Sequence, residues 1–228
     1  MIIGIIGGTG GEGSGLAFRW AWSGHEVVIG SRSAAKAAKA AKELGQLVGD
    51  RGTVRGASNA DTARAGSVVV LAVPYPAQIA TALEVREELD GKVLIDVTVP
   101  LVPPRIERVQ LPEGGSAAVA LQRQLGAGVK VVSAFQNVSA IHLKEPGYAI
   151  DCDVLVCGDD AAARETVIGL AQDAGLRAWH AGALVNSTAV EALTSVLIAL
   201  NKRYKVRASG IRMTGLPVQP EGGMKAEG

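Results

Sequence analysis

The residues whose types and spacing could do chemistry begin with Gly8-Thr9-Gly10-Gly11-Glu12-Gly13, which fits the pattern G-x-G-x-x-G. Such a loop between a strand and a helix can cradle a pyrophosphate. Gly8 is expected to make the tight turn, Gly10 to let the backbone approach the anion, and Gly13 to let helix and strand pack closely. The helix N-terminus behind the loop would offer free N–H groups and the positive end of its dipole. At the exit of the next apolar run stand Ser31 and Arg32. A carboxylate there would accept the ribose hydroxyls of NAD, whereas an Arg accommodates the 2′-phosphate of NADP. A guanidinium can pair with phosphate oxygens through two charge-assisted hydrogen bonds, and Lys36 lies one helical turn beyond Arg32 on the same side. Two solvated cations at an exposed helix start would give the same letters.

These residues need a scaffold, and the periodicity supplies one. Apolar, β-branched runs at Ile2 to Ile6, Glu26 to Gly30, Val68 to Val73, Lys92 to Val97, Lys130 to Phe135 and Val154 to Cys157 alternate with stretches of helical spacing. Those stretches lie near 13–23, 33–48, 76–89, 115–125, 161–174 and 187–204, the last with Asn186 or Ser187 as its cap. Alternation of this kind predicts an α/β fold, a Rossmann-type doubly wound parallel sheet covered by helices on both faces. In such a sheet the ligand sits outside the carboxyl ends of the strands. The exits are the glycine loop, Ser31-Arg32, Val73-Pro74-Tyr75, Thr98-Val99-Pro100 and Phe135-Gln136-Asn137-Val138. Pro74 and Pro100 turn the chain rigidly, so Val73, Pro74 and Val99 are candidate walls for a nicotinamide ring.

Composition narrows the class. With 228 residues, one well-buried domain is the default, since domains run roughly 100 to 200 residues. Twenty-nine glycines are nearly twice ordinary usage of about 7%, which calls for tight turns or close approaches to a ligand. A net charge of +1 leaves no global field for nucleic acid. An apolar run from Ile2 leaves no room for a secretory signal, and no stretch of about 18 uncharged apolar residues reads as a membrane span, so a cytoplasmic protein is expected. Cys152 and Cys157, five apart on an expected strand, point to opposite faces and are read as buried thiols rather than a redox pair. The end of the chain, from residue 217, has lost its apolar period and reads as a flexible tail.

What is missing bears on the reaction. Reducing a carbonyl requires a proton donor beside the hydride donor, yet no Tyr-x-x-x-Lys pair is present. His25, His142 and His180 are scattered without metal-ligand spacing, and no nucleophile elbow, phosphate-transfer loop or zinc motif occurs, so no metal is expected. An acceptor whose own ring takes the hydride would need only two rings held with reacting atoms about 3–3.5 Å apart. Transfer between two cofactors follows, with flavin-like rings as candidates.

Four separated blocks then carry a resemblance: "IIGIIGGTGGEGSGLAFRWAWSGHEVVIGSR", "VVSAFQNVSAIH", "DVLVCGDD" and "NKRYKVRASGIRMTG". Together they resemble the NADPH-dependent coenzyme F420 reductases, over roughly residues 1 to 216. The resemblance implies hydride transfer between NADP(H) and C5 of the deazaflavin coenzyme F420, by ring stacking and without an obligatory side-chain acid or base. It implies an NADP-binding Rossmann domain over 1–140 and a small C-terminal helical or α+β subdomain over 141–216 that helps form the deazaflavin site and a homodimer. Thr9, Gly10, Gly11 and Glu12 would hold the pyrophosphate, and Ser31, Arg32 and Lys36 the 2′-phosphate. Val73, Pro74 and Gln78 would border the nicotinamide, with Ala140 at the junction. The deazaflavin would lie over Gln136, Asn137 and Val138, closed by the segment around Ser209 and Gly210. Archaeal members often carry His where Gln136 stands, so a role requiring imidazole is not expected here. Between Glu191 and Glu221 the chain has Lys202, Arg203, Lys205, Arg207 and Arg212 and no acid. Such a rim would attract the phosphate and oligoglutamate tail of F420, or simply complement a helix end. The alternatives are an NADPH-dependent reductase of a flavin, ferric chelate or imine, and a non-catalytic NADP(H)-sensing domain.

Overall fold

The computed structural model describes residues 1–217. Eight strands form one sheet: β1 (Ile2–Ile6), β2 (Glu26–Ser31), β3 (Thr53–Ser58), β4 (Val68–Leu71), β5 (Val93–Asp96), β6 (Lys130–Ser133), β7 (Asp153–Gly158) and β8 (Arg177–His180). Their order is β3-β2-β1-β4-β5-β6-β7-β8. The first six pair in parallel, in registers such as Ile5 with Ile29 and Ile5 with Val70. β7 then runs antiparallel to β6, with Val132 opposite Gly158, and β8 runs parallel to β7. The chain beyond residue 140 therefore extends the same sheet.

The helices are α1 (Gly11–Trp22), α2 (Ala34–Val48), α3 (Asn59–Ala65), α4 (Gln78–Glu84), α5 (Arg86–Leu89), α6 (Ala117–Leu125), α7 (Ala161–Asp173) and α8 (Ser187–Tyr204). Side-chain oxygens of Ser33, Ser58, Ser116 and Asp160 accept the backbone N–H groups that open α2, α3, α6 and α7. Helix α8 starts without such a cap, because the Asn186 amide donates to Ala181 O at 2.7 Å instead. Alternate strand residues divide the core. Ile3, Ile5, Val68 and Val70 pack with Leu16, Ala41 and Val167, while Ile6, Val69 and Leu71 pack with Ala82, Leu89 and Leu121. Helices thus cover both faces, which is why these strands read as continuous apolar runs.

Three elements had no counterpart in the sequence reading. β3 is an edge strand whose run "TVRGAS" offers only Val54 as a large apolar residue, so neither period is visible. α3 is seven residues long, too short for a helical repeat to register. β8, "RAWH", mixes charge with bulk at the other edge. The single helix expected near 76–89 is two, broken at Val85 where φ is −121° and ψ 19°. Both cysteines are free and buried as expected, and burial raises their pKa values.

Among the described residues, Leu184–Tyr204 is a helical stretch long and apolar enough to cross a membrane by length and composition alone. The stretch is not free of charge, since it carries Glu191, Lys202 and Arg203. Its Glu191 is buried, however, with one carboxylate oxygen accepting Ala117 N–H at 2.8 Å and the other accepting Ser116 Oγ–H at 2.7 Å. The carboxylate caps α6, so this face of α8 belongs to the protein core. The expected flexible tail lies outside the described residues from 218 onward.

Candidate functional site

A cleft of about 420 Å³ opens at the carboxyl ends of β1, β2 and β4. Thr9, Gly10, Ser31, Arg32, Lys36 and Val73 all line it, and Pro74 stands at its rim. The glycines that shape the loop differ in part from expectation. The tight turn falls at Gly7, with φ +76°, where an added Cβ would lie 2.4 Å from Ala72 O. Only glycine fits there, both for conformation and for space. Gly8 does not carry the turn; its Cβ position lies 2.9 Å from Ile5 O, so it serves close packing onto β1. A Cβ added at Gly13 would lie 2.9 Å from Gly8 Cα and 3.0 Å from Gly7 O, so this glycine lets α1 pack closely, against the loop after β1 rather than the strand itself. Gly10 is different again, since a Cβ there would meet nothing closer than Gly7 O at 3.5 Å. Its free side faces open space, as a backbone that a ligand approaches should.

Glu12 sits in the first turn of α1 with its Oε1 buried and unpartnered, and burial pushes its carboxyl up to about 8. At neutral pH it is an acid with a proton to donate, which removes the repulsion an ionised side chain would exert on a pyrophosphate. A Cβ added at Gly11 would lie 3.9 Å from Ala140 Cβ, and α1 packs against the short helix Ala140–His142. Arg19, fully buried on α1, holds that corner by donating to Leu143 O at 2.8 Å, His142 O at 2.9 Å and Tyr148 O at 2.9 Å.

The 2′-phosphate candidates are arranged by the start of α2. Ser31 Oγ accepts Ser33 N–H at 3.2 Å, which sets the bend after β2, and Ser33 caps the helix that carries Lys36. The side chains of Arg32 and Lys36 are exposed and make no hydrogen bond or ion pair among the described residues. Two unpaired cations on the lip of a cleft form a ready anion site. Asn59, at the start of α3, also lines the cleft and leaves its Oδ1 buried without a partner. No motif marks it; the register that sets Ser31 beside Ser58 brings it there.

On the other side, Gln78 is fully buried on α4, Val99 is half-buried past the end of β5, and Gln136, Asn137 and Val138 are buried after β6. The amides of that turn point inward: Gln136 Nε2 donates to Asp96 O at 2.7 Å, and Asn137 Nδ2 to Asp153 O at 2.7 Å. Asn137 Nδ2 also lies 3.2 Å from Cys152 Sγ, against which Gly210 packs. Ser209 is tied to α8, its N–H donating to Asn201 Oδ1 at 3.0 Å. The turn 136–138 and the segment 209–210 therefore meet at Cys152, and Ala140 joins them to the glycine loop. Of the basic rim, Lys202 pairs with Glu107 at 2.8 Å and Arg212 with Asp151. Arg203, Lys205 and Arg207 stay exposed and unpaired among the described residues.

Asp96 escaped the sequence reading because "VLID" reads as a strand, although a carboxylate at the carboxyl end of a central strand was the available signal. It is fully buried, and that burial pushes its carboxyl up to about 7. The unfolded chain ionises it near 3.8 while the folded protein keeps the proton, so this group's contribution to stability is fully present below about pH 4 and is lost as pH rises toward 7. The expected loss across that window is about 4 kcal/mol. Urea unfolding at pH 4.5 and 7 should show a smaller decline in Asp96→Asn than in the native protein, the remainder belonging to Glu12, whose carboxyl burial also pushes up; identical profiles would contradict it.

A parallel sheet, a glycine loop opening α1 and a cationic lip after β2 define a nucleotide-binding oxidoreductase of the Rossmann class. The chain belongs to the family of F420-dependent NADP reductases. Residues 2–100 match the family "NADP oxidoreductase coenzyme F420-dependent". The chain is 44% identical over 225 residues to the F420-dependent NADP reductase of Methanothermobacter thermautotrophicus, covering 96% of this chain and 97% of that one. A crystal structure from Arthrobacter sp. FB24, assigned as an F420-dependent NADP-reductase, is 30% identical with a TM-score of 0.76, covering 93% and 98%. An imine reductase from Bacillus cereus shares the fold at 20% identity and a TM-score of 0.60, covering 90% and 62%.

Proposed function

We propose that this chain transfers a hydride between NADP(H) and coenzyme F420, held in one continuous cleft. The observation that carries the reading is the pairing of an open glycine loop with the unpaired Arg32 and Lys36, in a chain whose full-length relatives are F420-dependent NADP reductases. The site fits the nucleotide: the open face of Gly10 admits a backbone-to-phosphate approach, and neutral Glu12 can donate a hydrogen bond. Ser31, Arg32 and Lys36 would hold the 2′-phosphate, and Val73, Pro74, Gln78 and Val99 would border the nicotinamide. Gln136, Asn137, Val138 and the segment at Ser209 would form the acceptor side, with Arg203, Lys205 and Arg207 attracting its anionic tail. Bound together, nicotinamide C4 and deazaflavin C5 supply the hydride chemistry, and the protein's part is to orient the rings and exclude water. Mixing the protein with oxidised F420 and NADPH should bleach the deazaflavin absorbance, and NADH should do so far more slowly. No bleaching with NADPH would refute the acceptor.

The assembly we propose is a homodimer built on α8. Val196 (44% exposed), Leu200 (40%) and Tyr204 (69%) form an uncovered apolar stripe at helical spacing, continued by Val185 (62%). Sedimentation should give a dimer at micromolar concentration, and Leu200→Glu should shift it to monomer without loss of NADPH binding; a native monomer would exclude the arrangement. The division at residue 140 follows the same logic, with 141–216 contributing to the acceptor side, beside Gln136 to Val138, and to the contact between subunits, in the cytoplasm.

A further inference from the structure

Asp96 stands between the two walls of the proposed site. Its Oδ2 accepts from Gln78 Nε2 at 2.6 Å and its Oδ1 from Thr98 N–H at 3.1 Å. Its main-chain carbonyl accepts Gln136 Nε2 at 2.7 Å and Ala134 N–H at 3.2 Å. The carbonyl of Gln136 in turn accepts Thr194 Oγ1–H at 2.7 Å from α8. One residue thus ties α4, which follows the Pro74 corner, to the turn after β6, and that turn is tied on to α8.

The turn needs such support. Phe135 adopts φ +73°, a conformation that a bulky residue holds only where its surroundings over-determine it. Its ring packs edge-on to Trp20, and Val138 N–H closes the turn onto Phe135 O at 2.9 Å. Beside Asp96 the side-chain oxygens of the two amides it binds, Gln78 Oε1 and Gln136 Oε1, are buried without a partner. A cluster serving stability alone would satisfy them, because each unmatched group disfavours the folded state.

We propose that Asp96 is a positioning residue that sets the spacing between the wall bearing Pro74 and Gln78 and the turn bearing Gln136 and Asn137. The inference rests on the NADP(H)–F420 reading, since that spacing then fixes the distance between the two rings. A misplacement of about 1 Å at a reacting centre slows transfer roughly a hundredfold, so a residue that touches neither ring can still govern the rate.

The test is single-turnover mixing of the NADPH-loaded protein with F420, using NADPH with and without deuterium at C4. Asp96→Ala should slow the first-order transfer by about 10- to 100-fold, with a changed isotope effect, while the dissociation constants for NADPH and F420 stay close to native. Asp96→Asn keeps an acceptor for Thr98 N–H and a polar partner for the Gln78 amide, and should restore most of the rate. A native rate and isotope effect in Asp96→Ala, or a loss explained by weaker binding, would overturn the positioning role. Should Asp96→Ala fail to fold, Gln78→Met removes the side-chain tie and must slow transfer with the dissociation constant for NADPH close to native; a native rate, or a loss explained by weaker NADPH binding, overturns the proposal. No bleaching in the native protein would instead remove the hydride-transfer reading, and the inference with it.

Discussion

Arg32→Asp is expected to weaken NADPH binding by about a hundred- to a thousandfold while leaving NADH within a few-fold of native. The substitution removes a guanidinium that can make two charge-assisted bonds to the 2′-phosphate and puts a carboxylate in its place. Loss and repulsion together amount to about 3–4 kcal/mol, and each 1.4 kcal/mol is a factor of ten. NADH has no phosphate to lose, and a carboxylate at this place can accept its ribose hydroxyls. Titration of nucleotide fluorescence at fixed ionic strength reads both constants. An unchanged NADPH/NADH ratio would show that the cationic lip after β2 is only a solvated helix start.

Gly7→Ala should cost about 3 kcal/mol of stability, whereas Gly10→Ala, three residues on, should cost under about 1 kcal/mol. At Gly7 an alanine must hold φ +76° and place its Cβ 2.4 Å from Ala72 O, so the β1 turn or the end of β4 has to move. At Gly10 the nearest atom is 3.5 Å away, and the methyl group points toward the cleft. The Gly10 variant should therefore fold and yet bind NADPH poorly, because the added carbon occupies the line of approach to the phosphates. Urea denaturation and nucleotide binding separate the two, and equal effects at both positions would mean that the loop's glycines share one packing role.

How much of this could be read from letters depends on what kind of signal each residue leaves. The glycine loop, Ser31-Arg32 and the Pro74 corner were legible because they fall at strand exits, where periodicity breaks and position alone carries meaning. Gly7 against Gly8 was not, since adjacent glycines are interchangeable in a motif and only the φ angle distinguishes turn from packing. Asp96 and Arg19 lay hidden inside elements read for their apolar neighbours. Their roles depend on carbonyls and amides about 20 to 130 positions away in the chain, such as Gln78 and Gln136 for Asp96 and Leu143 and Tyr148 for Arg19. The strands β3 and β8 were missed for the opposite reason: sheet edges need little burial, so they need little pattern.

The reversal of β7 has a consequence for how such a protein can change. Because β7 runs against its neighbour, residues 152–153 and the segment at 209–213 arrive at the same rim as the carboxyl ends of the parallel strands. On the function proposed above, the stretch before about residue 100 would address the nucleotide, and that after about residue 134 would address whatever lies opposite. Few residues serve both, and Asp96 is the hinge pin between them. Preference for the electron donor and preference for the acceptor can then drift independently, so that a lineage could exchange one partner while keeping the other.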